Sequence, residues 1–196
     1  EKKYNVIATG RDTRGSKELS SLKADYPENL TLINLDVTHD DKISGLSGPL
    51  SEFSHIDLLI NNAGQFTDDD NQPLHKIDPA SALKTFVVNT MGPLKITRAL
   101  LPKLQKSKNP VIVSITSQMG SIADNKMGRY YGYRMSKAAL NMMTKSLSID
   151  YPDIISTVIH PGWVKTDMGG PQAPVLPHDS AMGIVTVIEK LQKKDS

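Results

Sequence analysis

Val111-Ile112-Val113-Ser114-Ile115-Thr116-Ser117 decides how this chain folds. Its apolar residues stand side by side instead of alternating with polar ones. A strand built this way is buried on both faces, as strands of a covered parallel sheet are. Working outward, the same pattern recurs in Tyr4–Thr9, Leu30–Leu35, Ile56–Ile60 and Ser156–Ile159. Helical spacing fills the intervals: Ser16–Ala24, a broken stretch Asp40–Phe53 interrupted by Gly45, Gly48 and Pro49, a long run Pro79–Gln105, Tyr133–Asp150 and His178–Lys193. Strand and helix in alternation predict an α/β fold with a doubly wound, Rossmann-like parallel sheet in three α/β/α layers.

Composition sets outer bounds. The 196 residues suit a single domain, 1–196, and 38% hydrophobic residues can build a core. A formal net charge of +2 gives no strong pull toward nucleic acid or an anionic membrane. The chain has no cysteine, so disulfides and thiolate metal sites are excluded. No stretch approaches the roughly 18 apolar residues of a membrane span, and the first residues show no secretory leader, so the expected location is the cytoplasm. The five histidines lack metal-ligand spacing. Asp68-Asp69-Asp70 reads as a solvated loop run, because no turn glycine follows in a calcium-loop pattern. No metal is expected.

Tyr133 and Lys137 stand four residues apart at the head of a helix-forming run. Positions i and i+4 share a helix face, which puts an ammonium beside a phenol. A free tyrosine has a pKa of about 10 and is a poor proton donor or acceptor at neutral pH. A neighbouring positive charge favours the phenolate and makes proton transfer to a substrate oxygen accessible. Alone the pair is an ordinary surface couple. Three further segments give it weight: Asn61-Asn62-Ala63-Gly64, Ser117, and Pro161-Gly162-Trp163-Val164-Lys165-Thr166, each following an apolar strand.

In this order the segments resemble the short-chain dehydrogenase/reductase family. Tyr133-Arg134-Met135-Ser136-Lys137-Ala138-Ala139-Leu140-Asn141, with the later Pro161–Gly170 run, is similar to its C-factor/sniffer-like carbonyl reductase branch. The resemblance implies an oxidoreductase moving hydride between NADP(H) and a small carbonyl or alcohol substrate. By that resemblance Ser117 hydrogen-bonds the carbonyl oxygen, Tyr133 donates its proton, Lys137 tunes Tyr133 and binds the nicotinamide ribose, and Asn89 holds a water in the proton relay. Ser114 competes with Ser117 but lies inside the strand, whereas ligands of open α/β sheets sit past the strand ends. The interval from Ser117 to Tyr133 is longer than the family's usual, and Asp124–Arg129 reads as a small loop insertion.

For the cofactor, the resemblance places Asn62, Ala63 and Gly64 against the adenosine side. It places Asp36 and Val37 at the adenine, Tyr133 and Lys137 at the nicotinamide ribose, and Pro161, Gly162, Val164 and Thr166 near the carboxamide. Asp36 equally fits a plain turn or cap. The first strand runs into Arg11, with Asp12 one residue later. A guanidinium suits a ribose 2′-phosphate, so NADP(H) is expected over NAD(H).

The family's opening strand and its Thr-Gly-x-x-x-Gly-x-Gly turn are not seen here; Thr9-Gly10 with Gly15 is a decoy, having Arg14 and Ser16 where glycines belong. The run Val6–Asp12 matches the family's second strand instead. Without the first strand the sheet is expected to split and leave two apolar edges, so an upstream βα segment of roughly 30 residues is anticipated. The family's last strand is likewise not seen. A non-catalytic relative acting in signalling or as a scaffold is the alternative; a sugar epimerase is disfavoured because no substrate domain follows Thr166. By resemblance, the two long helices are expected to form a homodimer or homotetramer.

Overall fold

The computed structural model describes residues 4–67 and 71–196, and the Asp68–Asp70 run lies outside the described residues. The chain divides into two compact units, the first ending at Phe53 and the second spanning Ser54–Ser196.

In the first unit, β1 (Val6–Gly10) and β2 (Leu30–Asn34) pair in parallel, with Val6 opposite Leu30 and Gly10 opposite Asn34. Helix α1 (Lys17–Asp25) connects them; the Ser16 hydroxyl caps it by accepting from the Leu19 amide. The turn after β1 is pinned to β2, because Thr13 donates both its amide and its hydroxyl to Asn34 Oδ1. The expected helical stretch Asp40–Phe53 is helix α2 only over Asp40–Ser44. A 3₁₀ turn at Gly45–Ser47 follows, and the rest is irregular where Gly48 and Pro49 intervene.

In the second unit, β3 (Leu58–Asn61), β4 (Val111–Ile115) and β5 (Ile155–Ile159) form a parallel sheet in that order. As expected where the family's first strand is not seen, the strands form two sheets, β1-β2 and β3-β4-β5, divided between the strands that match the family's second and fourth. Within each sheet β1 and β3 have one neighbour apiece, and apolar Val6, Leu58 and Ile60 are exposed. Ile112, Val113, Leu104 and Leu140 are almost fully buried and form the heart of this unit.

The long run expected at Pro79–Gln105 is not one helix. It comprises α3 (Pro79–Phe86, capped by Asp78), a wide π turn Val87–Met91, and α4 (Gly92–Leu104). The cause is local. An α-helix would need a bond from the amide of residue 93 to the carbonyl of Asn89, and Pro93 has no N–H. The chain widens instead, and the Gly92 amide reaches back to the Val87 carbonyl. Helix α5 (Tyr131–Asp150) packs on β5 and against α3. Helix α6 (Pro177–Ile188) is shorter than the expected His178–Lys193; the Lys190 and Leu191 amides close tight turns onto Val187 and Ile188, and Lys193–Asp195 is a separate 3₁₀ turn.

Candidate active site

Strand β4 ends at Ile115, and Ser117 lies two residues beyond it, as the cap of a 3₁₀ turn at Gln118–Gly120. Its Oγ accepts from the Met119 amide at 3.1 Å, which leaves the hydroxyl proton directed elsewhere. Ser114, inside the strand, is fully buried.

Tyr133 and Lys137 lie one turn apart in the first half of α5, and both are buried. The Lys137 Nζ donates to the Ile115 carbonyl at 2.8 Å and stands 5.8 Å from the centre of the Tyr133 ring. This side chain is only 4% exposed, and burial pulls its pKa down from 10.5 to about 8. It is still mostly protonated at neutral pH, held by an uncharged carbonyl and an aromatic face.

Asn89 sits in the π turn and is completely buried. Its amide is committed to neighbours: Oδ1 accepts from the Gln65 amide at 2.7 Å, and Nδ2 donates to the Gln65 carbonyl at 2.9 Å and to Ser136 Oγ at 3.0 Å. The Ser136 hydroxyl in turn donates to the Tyr133 carbonyl at 2.7 Å. Thr90 adds a bond to the Ser136 carbonyl. One network thus joins the segment after Gly64, the π turn and the head of α5.

Asn62, Ala63 and Gly64 follow β3 on an exposed edge. A side chain added at Gly64 would point at Lys137 Nζ, 3.9 Å away, and at Asn89 Oδ1, 3.8 Å away. Both distances are ordinary van der Waals contacts. Beyond β5, Gly162 takes φ +85°, a conformation natural to glycine, and Val164 bridges to Val175. Thr166 Oγ1 accepts from the Gly169 amide, and the Pro161 carbonyl accepts from Ser180.

Arg11, Asp36 and Val37 belong to the first unit, at the ends of β1 and β2. Asp36 Oδ1 accepts from the Thr38 hydroxyl and amide, which holds its carboxyl below the usual range, with His39 and Arg11 adding to the effect. That is the turn role the sequence left open for this residue.

Phe66 and Gly120 fall in the stretches 66–78 and 119–131 expected to supply substrate contacts, but neither they nor Ser136 and Asn141 were singled out for an individual role. The Phe66 ring meets Tyr133 edge-on at 4.9 Å and Tyr130 at 5.8 Å. The loop before α5 carries three successive left-handed residues, Gly128, Arg129 and Tyr130, at φ 66°, 54° and 54°. Such conformations are costly for arginine and tyrosine and cluster at functional sites. The Arg134 guanidinium spans this loop, donating to the Gly128 and Met119 carbonyls.

Among the described residues, no group of three metal-ligating side chains occurs, and no helix is long and apolar enough to cross a membrane. The sequence profile of the short chain dehydrogenases matches residues 1–175. The C-signal protein of Myxococcus xanthus is 44% identical over 143 residues, 72% of this chain and 85% of the relative. Two solved structures superpose with a TM-score of 0.89: an NADPH-bound carbonyl reductase from chicken fatty liver, 34% identical over 99% of this chain and 83% of that one, and the carbonyl reductase Sniffer of D. melanogaster, 33% identical over 96% and 81%.

Proposed function

Because this chain belongs to the short chain dehydrogenase family, with its Rossmann-like α/β fold, we propose that it is an NADP(H)-dependent reductase of aldehydes or ketones. The observation that carries the reading is Lys137: a buried cation beside the Tyr133 ring, with the uncharged Ile115 carbonyl as its hydrogen-bond partner. Such a donor set fits the hydroxyls of a nicotinamide ribose, which supply acceptors without a charge of their own. When bound, NADPH supplies the hydride.

The chain's own residues hold and move the proton. Ser117, its lone pair engaged by the Met119 amide, donates its hydroxyl to the substrate oxygen. Tyr133 donates its phenolic proton to that oxygen as negative charge develops there. The Lys137 ammonium stabilises the charge left on the phenol. Asn89 contributes in two ways. Its amide fixes Gln65 and Ser136, and its carbonyl, which Pro93 cannot engage, offers an acceptor for a relay water. In the first unit, Arg11 would take the 2′-phosphate, with Asp36 and Val37 at the adenine. In the second, Asn62 and Ala63 would meet the adenosine side, and Pro161, Gly162, Val164 and Thr166 the carboxamide. Exposed Leu94, Met135, Met142 and Ile149 on α4 and α5 would bury themselves in self-association.

NADPH oxidation with a panel of aldehydes and ketones tests the reading. Turnover is expected in the wild type and background rates in Tyr133→Phe; equal turnover in both refutes it. The similarity to a protein named C-signal favours a second reading, a signalling role without turnover. In that case wild type and Tyr133→Phe are equally inactive.

A further inference from the structure

We propose that Asn141 is a positioning residue for Ser117, locking the serine loop to the helix that carries Tyr133 and Lys137. The inference rests on the reading of Ser117 as the group that holds the substrate oxygen. Asn141 lies on α5 one turn beyond Lys137. Its Oδ1 accepts from the Thr116 hydroxyl at 2.6 Å, and its Nδ2 donates to the Gly120 carbonyl at 3.4 Å. These partners bracket Ser117, one just before it and one at the far end of its turn. A single amide therefore ties both ends of the loop to one helix.

Packing enforces the same register. A Cβ on Gly120 would lie 3.0 Å from the backbone carbon and Cβ of Lys137 and 3.1 Å from Asn141 Nδ2, so only glycine lets the loop reach the helix this closely. Arg134 adds a third tie, through the Met119 carbonyl at 3.3 Å. Ser117 and Tyr133 must address one oxygen atom, yet they come from different elements, a loop and a helix joined by residues 121–130. A misplacement of about 1 Å in such a pair can cost about a hundredfold in rate. Asn141 touches neither substrate nor cofactor in this account; it acts through Ser117.

The test is a double-mutant cycle on the full chain, with NADPH and a carbonyl substrate. Asn141→Leu keeps the branching at Cγ and removes both hydrogen bonds. It is expected to lower kcat about tenfold or more while the KM for NADPH stays within about twofold. In a Ser117→Ala background the same change should lower kcat by less than about twofold, since the residue it positions is gone. Additive losses would overturn the proposal. Thr116→Val, which cuts one tie only, serves if Asn141→Leu does not fold. Amide hydrogen exchange over residues 116–121 gives a readout free of turnover, because the Met119, Gly120 and Ser121 amides are all bonded within the turn. Faster exchange there, with 131–150 unchanged, supports the tie even if the wild type reduces no carbonyl and the functional reading falls. Unchanged exchange refutes the tie.

Discussion

Replacing Lys137 with methionine should change how stability depends on pH, by an amount the structure allows one to work out. The ammonium is buried against the Ile115 carbonyl and the Tyr133 ring, and its pKa falls from 10.5 to about 8. The folded pKa lies below the unfolded one, so between these values the unfolded chain binds more protons. Stability attributable to this residue therefore rises as pH climbs from about 8 toward 10.5, and the burial penalty is fully present below that window. At 1.36 kcal/mol per unit, the penalty is about 3 kcal/mol. Lys137→Met removes it but leaves the Ile115 carbonyl without its donor, a cost of about 1–3 kcal/mol. Near pH 7 the two effects largely cancel, so the absolute stability is a poor discriminator and the slope a good one. Urea unfolding of both proteins across pH 7 to 10.5 is the assay, each carrying Tyr133→Phe so that the neighbouring phenol does not titrate; groups remote from Lys137 cancel in the difference. The protein that keeps Lys137 should gain about 3 kcal/mol on the variant over that range. A difference that stays flat refutes the buried-cation reasoning.

Three other perturbations have definite outcomes. Gly120→Ala forces a methyl against the Lys137 backbone, which cannot swing aside, and should cost about 1–3 kcal/mol of stability in denaturant melts. Pro93→Ala restores the missing N–H, so the Val87–Met91 turn can close into an ordinary helix; thermal melting should hold or improve while kcat falls several-fold, and an unchanged kcat would remove the π turn from the mechanism. Arg11→Ala should weaken NADPH binding about tenfold or more by titration while leaving NADH nearly unaffected, as expected for the loss of a charged hydrogen-bond donor.

Strand β4 was legible because burial on both faces writes itself as an unbroken apolar run, and it differs from its reading by a residue or two at the end; β1 and β3 carry such runs too, although Val6, Leu58 and Ile60 are exposed. The division of the sheet between β1 and β3 was legible too, because Thr9-Gly10 with Gly15 is only a decoy of the glycine-rich turn and Val6–Asp12 matches the family's second strand. The π turn was not, because Val87, Val88 and Met91 keep helical spacing around Asn89. Its signal was Pro93, four residues on, where a proline denies one particular carbonyl its bond. Asn141 and Gly120 were invisible for a different reason. Their roles depend on a loop meeting a helix, and no local period records that encounter. Asn141 stood within the quoted motif, but nothing in its neighbours points to Thr116. Asp36 shows the reverse case: its turn role was written locally, in Thr38 two residues on.

Whether this chain takes up a nicotinamide cofactor is read from a fluorescence titration of the purified, folded protein with NADPH. Saturable binding with a dissociation constant in the micromolar range, tighter than for NADH, is the expected result. No binding by protein shown to be folded would contradict the account and leave Tyr133, Lys137, Ser117 and Asn89 as an arrangement without a reaction.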